Sequence, residues 1–272
     1  MVLARIPVDY KVWQRIGLFR HGYMDDASYA LSVFESHVRR AGLTMQALNG
    51  KVMLEMGPGD SVATAIIAHT LGARAILVDA GAFASSKPLR YEPLCAALRV
   101  RGLAPIEVSQ FGSIGEVLDA CGAVYLTRGA NSWESLASES VDLVFSQAVL
   151  EHVRLREFDY VQEQCFRVMR SGGVASHTVD LKDHLGGALD NLRFSRKIWE
   201  SESFVRSGFY TNRLRMARML DMFTKAGFDA DVLEVKRWET LPTRRRSLDS
   251  EFSSLPDTEL LVSGFNVLLR RR

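Results

Sequence analysis

With 272 residues, 47% of them hydrophobic and 24% charged, the chain has the apolar mass for one large α/β domain. Its net charge of +2 argues against the basic balance that holds nucleic-acid backbones. Three cysteines, an odd number with no CxxC pair, argue against a disulfide framework and point to a reducing cytoplasm.

Residues 1–49 read as a helical cap. Residues 1–17 carry charges inside every apolar run, unlike a signal peptide. No stretch reaches the ~20 apolar residues of a membrane span. Asp26 is placed to cap a helix from Ala27 to about Arg40, ended by Gly42. His21, Tyr23 and Tyr29 are candidate walls of an acceptor site.

From Lys51 the pattern becomes that of buried strands alternating with helices. Lys51 to Met56 is an apolar run ending in a glycine turn. Ser61 to Leu71 has helical spacing, and Ala75 to Asp79 is a second buried strand. Helices are expected over Pro88–Val100 and Ile114–Ala120, and a strand over Val124–Leu126. A fourth strand, Val141 to Ser146, precedes a helix from about Leu155 to Met169. Ser171-Gly172-Gly173 is read as closing that helix before a fifth strand, Val174 to Val179, in which His177 is expected to be buried. Residues 181–216 break the alternation and are read as an acceptor lid. A helix from Arg213 to Ala226 and strands over Asp231–Val235 and Leu260–Leu269 complete the chain, with an exposed, mobile loop around Arg244–Arg246. The expected fold is α/β, a doubly wound, mostly parallel seven-stranded sheet. Residues 50–272 would form the main domain, with the helical cap before it and the insertion after the fifth strand.

Ligands of such sheets bind beyond the carboxyl ends of the strands. The turn there reads Glu55-Met56-Gly57-Pro58-Gly59-Asp60. It lacks the third glycine of a dinucleotide loop, since position 62 is Val, and Glu55 would repel a pyrophosphate. A carboxylate suits a cationic ligand such as S-adenosylmethionine, which carries a sulfonium and an ammonium. Asp79, at the end of the second strand, is placed to accept hydrogen bonds from a ribose diol.

Residues Val52 to Asp60 resemble the first motif of class I S-adenosylmethionine-dependent methyltransferases. Asp79 is similar to the acidic end of their second strand. Val141 to Val153 resembles the fourth-strand motif of their small-molecule branch, and Phe166 to Gly173 the helix and glycine turn before their fifth strand. The resemblance implies S-adenosylmethionine as cofactor. It implies that Glu55, Gly57, Pro58 and Gly59 line its methionine part, that Asp79 holds the ribose and that Ala80 flanks the adenine. It places Ala130, Asn131 and Ser132 at the adenine amino group, and Ser146 and Gln147 under the sulfonium.

A hydroxyl acceptor benefits from a general base. His152 after the fourth strand, and Asp180 and His184 after the fifth, are the candidates. Asp180, Asp183 and His184 alone make weak evidence for a metal, so none is expected. The expected reaction is O-methylation of a small molecule such as a saccharide, glycolipid or secondary metabolite. Arg193, Arg196, Arg206, Arg213 and Arg215 are candidates to hold an anionic acceptor. The alternatives are N- or C-methylation, or a catalytically silent binding protein on the same fold.

Overall fold

Five short apolar runs form the parallel part of a single sheet. They are β1 (Val52–Met56), β2 (Arg74–Val78), β3 (Val124–Leu126), β4 (Val141–Gln147) and β5 (Met169–Asp180). Two longer strands, β6 (Phe228–Arg237) and β7 (Val262–Arg271), complete it. The computed structural model describes Met24 and residues 26–271; His21 and Tyr23 lie outside them. The strand order is β3-β2-β1-β4-β5-β7-β6, with β7 antiparallel to both of its neighbours. The chain runs outward from β1 to β3, then crosses back to place β4 on the other side of β1. That reversal opens a crevice at the carboxyl ends of β1 and β4.

Side chains alternate across a strand, so each buried strand feeds two cores. Met53, Leu143 and Phe145 face one core, which α1 (Ala27–Arg40), α2 (Ala63–Thr70), α3 (Glu92–Val100) and α4 (Ile114–Ala120) cover. Leu54, Met56 and Val144 face the other, covered by α5 (Phe158–Val168) and α8 (Met216–Lys225). α1 spans the residues its spacing predicts, with the Asp26 carboxylate accepting from Tyr29 N–H at 2.8 Å. Its buried Leu31, Phe34 and Val38 share a core with the sheet, so the cap packs directly on the α/β unit.

Three expectations are corrected. The glycine pair does not close α5. The helix stops at Val168 and β5 begins at Met169, so Ser171-Gly172-Gly173 lies inside the strand at a register shift against β4. Gly172 has a φ of 74° there, and a Cβ on Gly173 would sit 2.8 Å from the Arg170 carbonyl. The helix expected from Arg213 begins only at Met216, because Arg213 takes a left-handed φ of 61°. The Arg244–Arg246 segment is also anchored. Arg245 donates to the carbonyls of Ser253 and Leu255, both at 2.6 Å, and pairs with Asp257.

Around Arg245 the chain forms α9 (Ser250–Ser253) and α10 (Asp257–Leu260), while residues 181–216 hold α6 (Arg196–Trp199) and α7 (Glu202–Val205). Leu189 and Leu192 pack with Leu248, Phe252 and Leu260 into a third, smaller core. The insertion after β5 and the β6–β7 connection therefore form one body over the ends of the strands.

Candidate active site

The turn after β1 is shaped by two glycines in the left-handed region, Gly57 at 66° and Gly59 at 67°. A Cβ on Gly57 would sit 2.5 Å from Val149 Cγ2, so this glycine also permits a close approach to the chain leaving β4. Asp79 locks the turn in place. Its carboxylate accepts from Gly59 N–H at 2.9 Å and Ala80 N–H at 2.6 Å. Burial pushes its pKa up to about 6, against the pull of those donors. Glu55 is 2% exposed, and its Oε2 has no hydrogen-bond partner. Burial, with Asp79 adding repulsion, pushes its pKa up to about 8. A buried carboxyl with an orphan oxygen fits a ligand that brings a donor or a positive charge.

Beyond β3, Asn131 is exposed and Ser132 is buried. The Ser132 hydroxyl accepts from Arg128 N–H at 3.0 Å, which ties it to its own turn. Ser146 and Gln147 face opposite ways, as neighbours in a strand must. Ser146 Oγ lies 2.8 Å from Nδ1 of the fully buried His177. Gln147 meets α1, with its Oε1 3.2 Å from His37 Nε2. His37 Nδ1 lies 2.8 Å from Ser176 Oγ. Burial, then the neighbouring charge of Arg40, lowers the His37 pKa to about 4, so the ring is neutral. Arg40, one turn on, donates to Thr178 Oγ1 at 2.8 Å. Ala148 then takes a left-handed φ of 55°, which swings Val149 onto the glycine turn.

His152 and His184 come together, with ring centroids 4.7 Å apart, edge to face. His152 Nδ1 lies 3.0 Å from the Tyr210 carbonyl, which can only accept. The proton therefore sits on Nδ1 in the neutral ring and the basic nitrogen is Nε2. The His184 ring is accessible, yet the protein mass beside it lowers its pKa below the ordinary 6.5, outweighing Asp180 and Asp183. Asp180 pairs with Lys182 at 3.3 Å. Asp183 accepts from the N–H groups of Leu185, Gly186, Gly187 and Asp190, so it serves the loop rather than an imidazole. Among the described residues no three His, Cys, Asp or Glu side chains converge as a metal site would require.

The five lid arginines are engaged within the protein. Arg193 pairs with Asp190 at 3.5 Å, Arg206 with Glu202 at 3.3 Å, and Arg196 with Glu251. Arg213 donates to the Phe194 carbonyl at 2.6 Å between the rings of Trp199 and Phe252. Arg215 donates to the carbonyls of Leu181, Glu259, Leu260 and Val262.

Residues 120–176, from the end of α4 into β5, match the family model described as a methyltransferase domain. That match covers less than half of the chain, and it is a likeness to methyltransferase domains over this stretch. No curated protein matches the chain. Among solved structures, it is similar to phosphoethanolamine N-methyltransferase 2 of Haemonchus contortus, in complex with phosphomonomethylethanolamine and S-adenosylhomocysteine. That likeness is at 16% identity and a TM-score of 0.47, over 87% of this chain and 52% of that one. The chain thus spans about half the length of the Haemonchus enzyme. It is also similar to an S-adenosylmethionine-dependent methyltransferase of Mesorhizobium loti, at 15% identity and a TM-score of 0.46, over 87% and 97%. A third likeness is to one of Methanosarcina mazei, at 17% and 0.48, over 81% and 92%.

Two residues of this site escaped the sequence reading. Glu151 is 2% exposed, accepts from Asp180 N–H at 3.3 Å, and leaves Oε2 without a partner. Burial raises its pKa well above the carboxylate range. His37 sits on the apolar face of α1. A polar residue at a core-facing helical position was the available signal for His37. For Glu151 it was an acid inside an apolar strand-end motif.

Proposed function

We propose that the chain transfers a methyl group from S-adenosylmethionine to a hydroxyl of a small molecule, such as a saccharide, glycolipid or secondary metabolite. The observation that carries this reading is the placement of the His152–His184 pair. Val149, whose carbonyl accepts from His152 N–H, lies against Gly57, which supports a place for the pair near the glycine turn. The cofactor supplies an electrophilic methyl carbon on a sulfonium. Asp79 is suited to hold the ribose diol, and the Gly57–Gly59 turn leaves the backbone open to close approach. Glu55, once deprotonated, is suited to hold the ammonium.

His152, its tautomer set by the Tyr210 carbonyl, takes the acceptor's proton on Nε2. His184 packs beside it edge to face. Asp180 supplies negative charge next to the imidazole pair. The body formed by residues 181–216 and 238–260 covers the acceptor side. With its arginines engaged internally, hydroxyl contacts rather than anion pairing would select the acceptor.

The test is calorimetry with S-adenosylhomocysteine, followed by methyl transfer to a panel of hydroxylated acceptors. Micromolar binding and turnover that falls about 100-fold in His152→Gln are expected. Absence of cofactor binding would remove the reading. Binding without turnover on any acceptor class would favour the silent binding protein, and transfer to amines only would favour N-methylation.

A further inference from the structure

The contact between α1 and the end of β4 sets the polarity of one side chain in the crevice. His37 is fully buried, its ring 5.1 Å from that of Phe145. An amide oxygen can only accept, so the 3.2 Å contact from His37 Nε2 to Gln147 Oε1 puts the imidazole proton on Nε2. Nδ1 then accepts from the Ser176 hydroxyl at 2.8 Å. With its oxygen turned toward His37, Gln147 points its amide nitrogen the other way. That nitrogen bonds to none of the described residues and is not sealed in the core, since Gln147 is half-buried. Gln147 therefore presents a hydrogen-bond donor, and a donor cannot complement a sulfonium.

The sheet order indicates what it does complement. Asp79 ends β2, and a nucleoside held there lies on the β2 side of β1. The amino-acid tail of the same ligand must then extend across β1 toward β4. Met56, just before the turn, is in register with Ser146, so Gln147 stands beside Gly57. A tail of this kind carries an ammonium and a carboxylate. Glu55 suits the first, and the amide donor suits the second.

We propose that His37 is a positioning residue that turns the amide nitrogen of Gln147 toward the carboxylate of the cofactor. The assignment rests on the cofactor reading above. It makes the N-terminal helix part of the binding site without contact between that helix and the ligand.

The experiment compares S-adenosylmethionine with its decarboxylated form, which keeps the ammonium and sulfonium. Binding of both is measured by calorimetry to the wild type, Gln147→Leu, His37→Phe and His37→Gln. Loss of one charge-assisted hydrogen bond predicts an S-adenosylmethionine Kd about tenfold higher in Gln147→Leu and His37→Phe. The Kd of the decarboxylated form stays within about twofold, because its tail has no partner to lose. His37→Gln, which keeps a donor near the position of Nε2, restores most of the affinity. Parallel loss for both ligands overturns the proposal. It would mean a collapsed crevice, or a Gln147 that donates to His37 and turns its oxygen to the ammonium. Unchanged binding in both variants also overturns it. If the wild type binds neither ligand, the cofactor reading itself fails, and that outcome is distinct from the other two.

Discussion

Glu55 keeps a carboxyl in a place that stabilises its neutral form. Its pKa rises from the ordinary 4.5 to about 8 because burial disfavours the anion. The folded state thus binds this proton more tightly than the unfolded chain does. The stabilisation is complete below pH 4.5 and is lost as pH rises toward 8. Glu55→Gln, which imitates the neutral form, should leave stability unchanged near pH 4.5. At pH 8.5 it should raise stability by on the order of 3 kcal/mol, read from urea melts at the two pH values. The same substitution should weaken S-adenosylmethionine binding, because an amide cannot balance an ammonium. In the wild type, affinity should strengthen from pH 6.5 to 8 as the carboxylate forms. A pH-independent Kd would show that Glu55 does not meet the ligand's charge. The residue carries a conflict between fold stability and ligand charge, and the ligand resolves it.

Among the elements, the turn after β1 and the segment after β4 depend on each other. Gly57 has no side chain, so Val149 can fill the space beside it, and Ala148 adopts a left-handed backbone to bring Val149 there. Gly57→Ala should therefore cost both steric and backbone strain, about 2–4 kcal/mol by denaturant unfolding. Adding Val149→Ala should return the steric part and leave the φ part of about 1–2 kcal/mol, because relief of a clash cannot alter a positive φ. Full recovery in the double variant would mean that the turn relaxes out of the left-handed region. The pairing of these two elements was partly legible in the sequence. Gly57 and Gly59 announce a tight turn by type and position, and buried apolar runs announce β1, β2 and β4. Nothing local announced that Val149 would close on Gly57.

At the level of the whole molecule, the sequence carried the strand succession and the glycine turn because both are written in short-range patterns. It did not carry the contacts that join distant segments. His37 lies 110 residues from Gln147 and 139 from Ser176, and no periodicity spans such distances. The Arg244–Arg246 segment looked free because the partners of Arg245, the Ser253 and Leu255 carbonyls and Asp257, are brought to it only when the chain turns back after it. Ser146 and Gln147 looked alike in a motif, yet the alternation of strand side chains sends one to His177 and the other to α1. The absence of a converging ligand cluster among the described residues leads to a further expectation. Dialysis against EDTA should leave S-adenosylhomocysteine affinity and thermal stability unchanged, and a chelator-sensitive Kd would reveal a metal requirement.

The docking of α1 also bears on how the molecule is made. The helix forms from residues synthesised early, but its polar anchors on the sheet are Gln147, Ser176 and Thr178. The apolar face of Leu31, Phe34 and Val38 shares its core with Ala65 of α2, Leu94 and Leu98 of α3 and Phe145 of β4, so it is covered in stages, whereas the polar anchors wait for β4 and β5. Contacts of such separation close late and slow folding. A growing chain would therefore hold the helix with its polar anchors unmet until β5 is made, and the crevice would gain affinity for a small ligand only in the last steps of assembly.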